Sequence, residues 1–260
     1  MSDKMISIII VNYQSKKRLD GCLTSIFGNI LSKISGEVIL VNNDSNETLE
    51  EYINRFNNLR ILNNRENAGF SRACNQGAGI AQGEILLFLN PDTEILSDNI
   101  EDVLKILKTN NSIVGARLID SQNKTHRWSA GRKINLYDLL RNNLQIPRSK
   151  KIWNSKNSIS ADWVSGTSLF IKKKDFEKLN GFDENFFMYF EDIDLCRRAK
   201  KGGLKIIYYP TFSIFHFGGE SYGDKFEQKD NYFASQEYYF KKHCGPLQTM
   251  LLKILRKIFI

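Results

Sequence analysis

Short apolar runs alternate with stretches of helical spacing through the first half of the chain. The runs predict strands at Ile6–Asn12, Glu37–Val41, Arg60–Leu62 and Glu84–Leu89, and the stretches between them predict helices at Lys16–Ile30, Glu47–Asn57, Phe70–Ala81 and Asn99–Thr109. Strands that are apolar on both faces are typical of a parallel sheet covered by helices on each side. The pattern therefore predicts an α/β half that binds ligands beyond the carboxyl ends of its strands.

The second half has a different pattern, which begins with a polar span from Asp120 to Ser160. Beyond this span we predict strands at Trp163–Ile171, Lys205–Tyr209 and Thr211–Phe217, helices at Lys174–Leu179, Glu191–Lys201 and Asp224–Lys242, and an aromatic stretch over Phe182–Phe190. No polar linker separates two units, so we expect residues 1–245 to form one domain.

Composition indicates an ordinary folded protein. The 260 residues are 42% hydrophobic and 25% charged, and the longest apolar runs are far shorter than the ~20 residues of a membrane-spanning helix. We read no secretory signal at the N-terminus, and four scattered cysteines predict neither a disulfide framework nor a zinc site. The expected location is the cytoplasm.

The chain is basic, with 37 Lys and Arg against 29 Asp and Glu. A net charge of +8 is compatible with nucleic acid, with substrates that carry phosphate, or with an anionic membrane surface. Net charge alone does not choose among these partners.

Polar side chains follow the predicted strands at Asn12-Tyr13, Asn42-Asn43-Asp44, Asn63 to Gly69, and Asn90-Pro91-Asp92. No G-x-G-x-x-G or P-loop pattern accompanies them, which excludes those two modes of nucleotide binding. Short amides and carboxylates can instead hydrogen-bond a nucleobase or ribose, or coordinate a metal.

Three positions are candidates for chemistry, and each has a structural alternative. Asp92 could hold Mg²⁺ or Mn²⁺, or could belong to a Pro-Asp turn. Glu191 and Asp192 could supply a general base beside apolar side chains, or could simply stabilise a helix N-terminus. His216 could be a metal ligand or a hydrogen-bonded core histidine.

Taken together, these stretches resemble the family 2 glycosyltransferases, especially their rhamnosyltransferase-like branch. The resemblance rests on blocks in order along the chain: Ser7 to Tyr13, Val41 to Ser45, Asn67 to Phe70 with Asn75-Gln-Gly77, Leu89 to Asp92, Trp163 to Gly166, Gly181 to Leu195, and His216 to Ser221.

The resemblance implies a GT-A fold with a nucleotide-binding half at 1–115 and an acceptor-binding half at 116–245. It implies that Asp192 is the catalytic base, with Glu191, Trp163 and Gly166 on the acceptor side, and that Asp92 and His216 hold Mg²⁺ or Mn²⁺. Donor binding is expected from Asn12, Tyr13, Asn42, Asp44, Asn67, Gly69, Asn90 and Asp92. Asn42 and Asn90 depart from the family, because many members carry aspartate at both positions.

The implied activity is an inverting transfer of a sugar from a nucleotide-sugar, with dTDP-rhamnose ahead of a UDP-hexose. The acceptor is expected to be a lipid-linked glycan. Two alternative functions remain. One is a sugar-nucleotide pyrophosphorylase, but this sequence lacks the Gly-rich basic loop that such an enzyme carries near its first strand. The other is a non-catalytic protein that binds carbohydrate or nucleic acid. Nucleic acid is not the partner we expect, and the oligomeric state is not predicted.

The segment 246–260 forms an amphipathic tail in this prediction. On a helix, Lys253, Arg256 and Lys257 share one side, and Met250, Leu251, Ile254, Leu255 and Ile258 share the other. Such a helix is too short to span a bilayer but can lie on an anionic membrane surface. It can equally pack on the domain or on a second subunit, and the sequence leaves these alternatives open.

Overall fold

The computed structural model describes residues 5–143, 147–218 and 225–259. The strands are β1 Ile6–Asn12, β2 Gly36–Asn42, β3 Leu59–Asn63, β4 Ile85–Leu89, β5 Thr93–Ile95, β6 Ser112–Ile119, β7 Ala130–Gly131, β8 Ile159–Ser160, β9 Trp163–Val164, β10 Ser168–Lys172 and β11 Lys205–His216. The helices are α1 Lys16–Ile26, α2 Glu51–Arg55, α3 Phe70–Ile80, α4 Ile100–Thr109, α5 Leu136–Asn143, α6 Lys150–Trp153, α7 Lys173–Lys178, α8 Glu191–Lys201, α9 Lys225–His243 and α10 Pro246–Phe259.

One large sheet runs through both halves of the chain, in the order β3-β2-β1-β4-β10-β6-β11-β5, with β8 beside β11. The four strands from β3 to β4 are parallel, as the sequence predicts. Beyond them the sheet is mixed, because β10 runs antiparallel to both β4 and β6, while β6 and β11 are parallel. A small second sheet pairs β7 with β9.

Alternate residues of β1 enter two different hydrophobic layers, as the two-residue period of a strand requires. Ile8 and Ile10 pack in one layer with Leu23 of α1, and Ile9 packs in the other with Ala73 of α3. Every residue of β1 is buried, which explains why the strand reads as an uninterrupted apolar run. The carboxyl ends of β1, β2 and β4 are therefore fixed in one place by packing on both faces.

Several element boundaries differ from the prediction. β6 was not predicted, although it lies inside the sheet, and α2 is much shorter than Glu47–Asn57. The predicted strand Trp163–Ile171 is broken by a turn between β9 and β10. β11 is continuous where two strands were predicted, and its register against β6 shifts between Tyr209 and Ser213. Proline at 210 lacks the N–H that an ordinary ladder needs, which accounts for an irregularity there.

The C-terminal helices cover the aromatic stretch that precedes α8. Leu252 of α10 is 5% exposed and shares a cluster with Phe186, Phe190 and Phe240. The predicted tail is thus packed on the domain along one face. Asp224, residues 219–221, residue 260 and the side chains of Lys257 and Ile258 lie outside the described part of the structure. Over the ranges that are described, no helix is long and apolar enough to cross a bilayer.

Candidate active site

A cavity of about 710 Å³ opens at the carboxyl ends of β1 and β4. One wall carries residues that follow the strands, and the facing wall carries the start of α8 and the turn after β9. The predicted site residues that line it are Tyr13, Asn67, Asn90, Asp92, Trp163, Gly166, Glu191, Asp192 and His216. A volume of this size suits a ligand larger than a single sugar.

Asn12, Asn42 and Asp44 lie behind the cavity wall and hold the strand ends together. The amide of Asn12 donates to Glu47 Oε2 at 2.7 Å, and the amide of Asn42 donates to Asn63 Oδ1 at 3.1 Å. Both asparagines are buried. Asp44 Oδ1 accepts from the backbone N–H of Asn46 at 2.9 Å. The sequence predicted that all three bind the nucleotide-sugar donor, but none of them is among the residues that line the cavity.

Asn43, which the sequence reasoning did not select, lines the cavity instead. Its amide donates to Asn67 Oδ1 at 2.8 Å, and its Oδ1 accepts from the backbone N–H of Ala68 at 3.1 Å. Asn42 is the last residue of β2 and pairs in register with Asn12. Successive side chains of a strand alternate in direction, so the side chain of Asn43 points away from that of Asn42. This alternation could have identified Asn43 from the sequence.

Gly69 brings the loop after β3 against the aromatic stretch. Its φ is +81°, and a Cβ there would lie 2.7 Å from both the ring and the carbonyl oxygen of Phe187. The next residue, Phe70, donates its backbone N–H to that same carbonyl at 2.7 Å. Only glycine fits this approach without strain.

Asp92 and His216 lie next to each other in the lining of the cavity. They are 2% and 8% exposed, and His216 Nε2 lies 3.4 Å from Asp92 Oδ2. Antiparallel pairing of β5 with β11 sets this distance, since His216 is opposite Thr93 and Phe217 N–H donates to Asp92 O at 3.0 Å. Residues more than a hundred positions apart are thereby joined.

The Asp92 and His216 pair fits part of a metal shell. Asp92 Oδ1 and His216 Nδ1 are buried and have no hydrogen-bond partner among the described residues. No group of three His, Cys, Asp or Glu side chains able to hold an ion occurs in the described part of the chain. The remaining ligands of an ion here would therefore be ligand phosphate oxygens and water, the ordinary situation for Mg²⁺ in nucleotide sites.

Asn90 connects the two walls. Its backbone N–H donates to Thr167 O at 3.1 Å, and its amide donates to Thr167 Oγ1 at 3.4 Å. Thr167 lies in the turn between β9 and β10, directly after Gly166. The strand-end residue thus fixes the position of the turn that touches Asp192.

Asp192 stands at the start of α8 and is held by two backbone N–H groups. Gly166 N–H donates to its Oδ2 at 2.8 Å, and Ile193 N–H donates to its Oδ1 at 2.7 Å. Tyr189 and Phe190 precede the helix with φ of +71° and +66°, a conformation that costs energy for non-glycine residues and is concentrated at functional sites.

Burial raises the pKa of Asp192, although the backbone N–H donors oppose the shift. Burial also raises the pKa of Glu191 well above its usual range, and the negative charges of Asp192 and Asp194 add to that effect. Glu191 is 5% exposed, and its Oε2 has no hydrogen-bond partner in the described chain. The ionised form of Glu191 is therefore disfavoured more strongly than that of Asp192.

Asp194, the third carboxylate of the motif, has a different role. Burial alone would raise its pKa, but hydrogen bonds from His243 and Lys242 and the charge of Arg198 hold the pKa of Asp194 well below its usual range. Its oxygens lie 2.6 Å from His243 Nε2 and 2.7 Å from Arg198 Nε. Asp194 thus fastens α8 to α9 and does not line the cavity.

The cavity is also lined by tryptophan rings, which the sequence only partly predicted. Trp163 was selected, but Trp128 and Trp153 in the polar span also line the cavity. The indole N–H of Trp163 donates to Arg132 O at 2.9 Å, and that of Trp153 donates to Ala130 O at 2.7 Å. Tryptophans within an otherwise polar stretch were the available signal.

Comparison with known proteins identifies relatives over most of the chain. A family model described as Glycosyl transferase family 2 matches residues 7–179, and one described as the N-terminal domain of galactosyltransferase matches residues 149–218. The chain is 28% identical over 214 residues to the low-salt glycan biosynthesis hexosyltransferase Agl10 of Haloferax volcanii, covering 77% of this chain and 63% of that one.

Two further relatives are named as rhamnosyltransferases. Identity is 30% over 143 residues to WbbL of Escherichia coli, which covers 53% of each chain. Identity is 24% over 249 residues to an N-acetylglucosaminyl-diphospho-decaprenol L-rhamnosyltransferase of Mycobacterium tuberculosis, covering 84% of this chain and 78% of that one. The chain spans between about half and two thirds of the length of Agl10 and WbbL.

Solved structures share the fold at low identity. GalNAc-T7 with UDP, GalNAc and Mn²⁺ aligns with a TM-score of 0.64 at 17% identity, over 83% of this chain and 44% of that one. S. aureus TarS 1–349 in complex with UDP-GlcNAc aligns with a TM-score of 0.62 at 16% identity, over 85% of this chain and 61% of that one. These likenesses confirm the predicted α/β GT-A fold.

Proposed function

Because the chain belongs to glycosyl transferase family 2, we propose that it transfers a sugar from a nucleotide-sugar donor to an acceptor hydroxyl with inversion. One observation carries the proposal. A strand-end carboxylate with a histidine, and a helix-start carboxylate with a raised pKa, line opposite walls of a single cavity.

The donor would occupy the wall formed by the strand ends. Asn43, Asn67 and Tyr13 offer amide and phenol groups to the nucleoside. Asn12, Asn42 and Asp44 would support this wall from behind, whereas Gly69 would allow its close approach to Phe187. Asn90 and Asp92 would lie at the diphosphate.

Asp92 and His216 would hold Mg²⁺ or Mn²⁺ on the donor side. A divalent ion bound there would neutralise negative charge on the departing diphosphate. The unpartnered Asp92 Oδ1 supports this assignment, since a buried carboxylate oxygen without a donor is costly unless a cation or proton binds it.

Asp192 would accept the proton of the attacking hydroxyl. As the acceptor oxygen bonds the anomeric carbon, the bond from that carbon to the diphosphate oxygen breaks, and the hydroxyl proton passes to Asp192. One displacement of this kind inverts the configuration without a covalent enzyme intermediate. A raised pKa makes Asp192 a stronger base than an exposed aspartate.

The donor we propose is dTDP-rhamnose ahead of a UDP-hexose, and the acceptor is a lipid-linked glycan. Support comes from the relatives whose names include rhamnosyltransferase and a diphospho-decaprenol acceptor. Trp163 and Gly166 would shape the acceptor side, with Glu191 next to the base. The enzyme would act at the cytoplasmic face of a membrane.

The C-terminal helix would contribute to docking on that membrane. Arg256 of α10 is turned toward α9, where it donates to Phe233 O at 3.2 Å, and Lys253 lies 2.6 Å from Glu237. Met250 and Ile254 remain 53% and 47% exposed. The apolar side of α10, and not the cationic side, would therefore meet the bilayer.

The proposed activity is tested by a thermal-shift panel of nucleoside diphosphates with Mn²⁺, followed by donor hydrolysis with dTDP-rhamnose and UDP-hexoses. A ligand that binds only the folded state raises its melting temperature. We expect dTDP to give the largest shift and its sugar conjugate to be turned over. Tighter binding of UDP and faster turnover of UDP-hexoses would overturn dTDP-rhamnose as the donor. If no nucleotide-sugar is hydrolysed, the proposed activity is overturned.

A further inference from the structure

The excess positive charge of the chain resides in one segment. Residues 124–156 contain nine Lys or Arg and a single acidic residue, Asp138, a balance of +8, while the remainder of the chain has 28 residues of each sign. Positive charge that is concentrated in one region, and not spread over the surface, favours the binding of an anion there.

Four of these cations, Arg127, Arg132, Lys133 and Arg148, line the cavity. The last three form one cluster on its acceptor wall. The backbone N–H of Arg132 donates to Ser149 Oγ at 2.9 Å, which brings the Arg132 and Arg148 stretches side by side. Arg132 O accepts the indole N–H of Trp163, so the cluster adjoins β9 and the turn that contacts Asp192.

The cluster is only partly neutralised by the protein. Arg148 pairs with the buried Asp138 at 3.1 Å, which fixes the guanidinium and leaves donors unused. The neighbouring Asp162 is occupied by the Lys200 ammonium and by the backbone N–H of Lys133. Among the described residues, neither the Arg132 nor the Lys133 side chain has a carboxylate within ion-pair distance. Cations gathered in this way repel one another until an anion binds between them.

The aromatic rings that line the same cavity indicate what accompanies that anion. All three tryptophans of the chain line the cavity, and Trp128 is 53% exposed and stacked on His126 at 4.7 Å between centroids. Exposed aromatic faces beside cations suit a sugar or an isoprenoid attached to phosphate.

We propose that Arg132, Lys133 and Arg148 bind a phosphate or diphosphate group of the acceptor. The inference rests on the proposed transferase function and makes it more specific: the molecule that presents its hydroxyl to Asp192 is a phosphorylated glycan, such as one joined to lipid through diphosphate. The same phosphate chemistry could come from the headgroup of an anionic lipid, and the experiment separates the two sources.

The test measures equilibrium binding by tryptophan fluorescence, without donor and in the presence of EDTA. The probes are farnesyl diphosphate and farnesol, with the full chain and the variant Arg132→Gln/Lys133→Gln. We expect the wild type to bind the diphosphate at least about tenfold more tightly than the alcohol, and the variant to lose roughly tenfold or more. Lys150→Gln/Lys151→Gln removes two exposed cations of the same segment that do not line the cavity, and it should stay within about twofold of the wild type.

Two results would overturn the subsite. One is equal affinity of the wild type for farnesol and farnesyl diphosphate, and the other is unchanged diphosphate affinity in the variant. Lys133→Gln alone, at an exposed position, repeats the test if the double variant melts at a lower temperature. Loss of binding to phosphatidylglycerol vesicles with retained farnesyl diphosphate affinity would assign the cations to lipid headgroups and also refute the proposal. Because no turnover is measured, a failed transferase assay would leave these results intact.

Discussion

Asp192 differs from the other carboxylates of its motif in what surrounds it. Backbone N–H groups of Gly166 and Ile193 orient it without neutralising it, whereas Asp194 is neutralised by cations. An amide in place of the carboxylate keeps an oxygen for the Gly166 N–H but cannot accept the proton of a hydroxyl.

Replacing Asp192 with Asn should therefore lower the transfer rate by a factor on the order of 10² to 10⁴. Calorimetry should show that nucleotide affinity is retained. Asp98→Asn, which changes an exposed carboxylate that does not line the cavity, is the control. Transfer by Asp192→Asn within a few-fold of wild type would remove Asp192 as the base.

Glu191 makes stability depend on pH. Its folded pKa is raised above the ordinary value of 4.5, so the native state holds a proton that the unfolded chain releases. Its contribution to the free energy of unfolding is thus complete below about pH 4.5 and declines as pH rises toward the folded pKa.

In urea titrations from pH 5 to pH 8, Glu191→Gln should become progressively more stable relative to wild type as pH increases. Glutamine cannot ionise, so the variant lacks the loss of stability that ionisation of Glu191 causes in the wild type as pH rises. Glu101→Gln, at an exposed position of α4, controls for removal of a glutamate. Parallel stability curves for Glu191→Gln and wild type would contradict the raised pKa.

Asp92 and His216 should act together on metal-dependent nucleotide binding. Removing either ligand from a small shell should weaken nucleoside diphosphate binding with Mn²⁺ by roughly tenfold or more, because few protein ligands share the ion. The measurement is calorimetry of Asp92→Ala and His216→Ala with and without chelator. A histidine that is only structural would lower the melting temperature and leave the chelator effect intact, and insensitivity of wild type to chelator would exclude the metal.

At the scale of elements, the loop before α3 depends on one glycine. Gly69→Ala adds a Cβ at positive φ and 2.7 Å from Phe187, and should destabilise the fold by about 1–3 kcal/mol. Gly79→Ala adds the same atom to the exposed side of α3, with nothing within 4 Å, and should stabilise it by about 0.5–1 kcal/mol. Chemical denaturation of the pair gives the comparison. Equal changes in the free energy of unfolding at the two positions would refute the close approach of Gly69 to Phe187.

The C-terminal helix permits a separate test of membrane docking. Met250→Gln/Ile254→Gln removes exposed apolar surface and leaves Leu252 in its cluster, so it should weaken sedimentation with anionic vesicles about tenfold or more. Ile53→Gln/Leu96→Gln changes exposed apolar residues elsewhere and should have no effect. Undiminished vesicle binding by the α10 variant would show that this face does not dock.

At the scale of the molecule, the first half of the fold was predictable because its strands are buried on both faces and alternate with helices. The same local rules do not show that β6 lies inside the sheet, because its environment is set by β10 and β11 from far along the chain. Local sequence likewise predicted only part of the candidate site. Strand ends identified Asp92, but Arg132 and Trp128 reach the cavity through the path of a polar span, which no local pattern encodes.

The antiparallel strand β10 also affects how the protein is synthesised. β4 is complete early in translation, yet its second edge stays open until Ser168–Lys172 emerges and pairs with it. Until then, the nascent first half displays unpaired backbone groups beside a hydrophobic strand, which is a template for association with another unfinished chain. The join that unites the two halves therefore makes the period of synthesis before Ser168–Lys172 emerges, and not the native state, the time of greatest risk of aggregation.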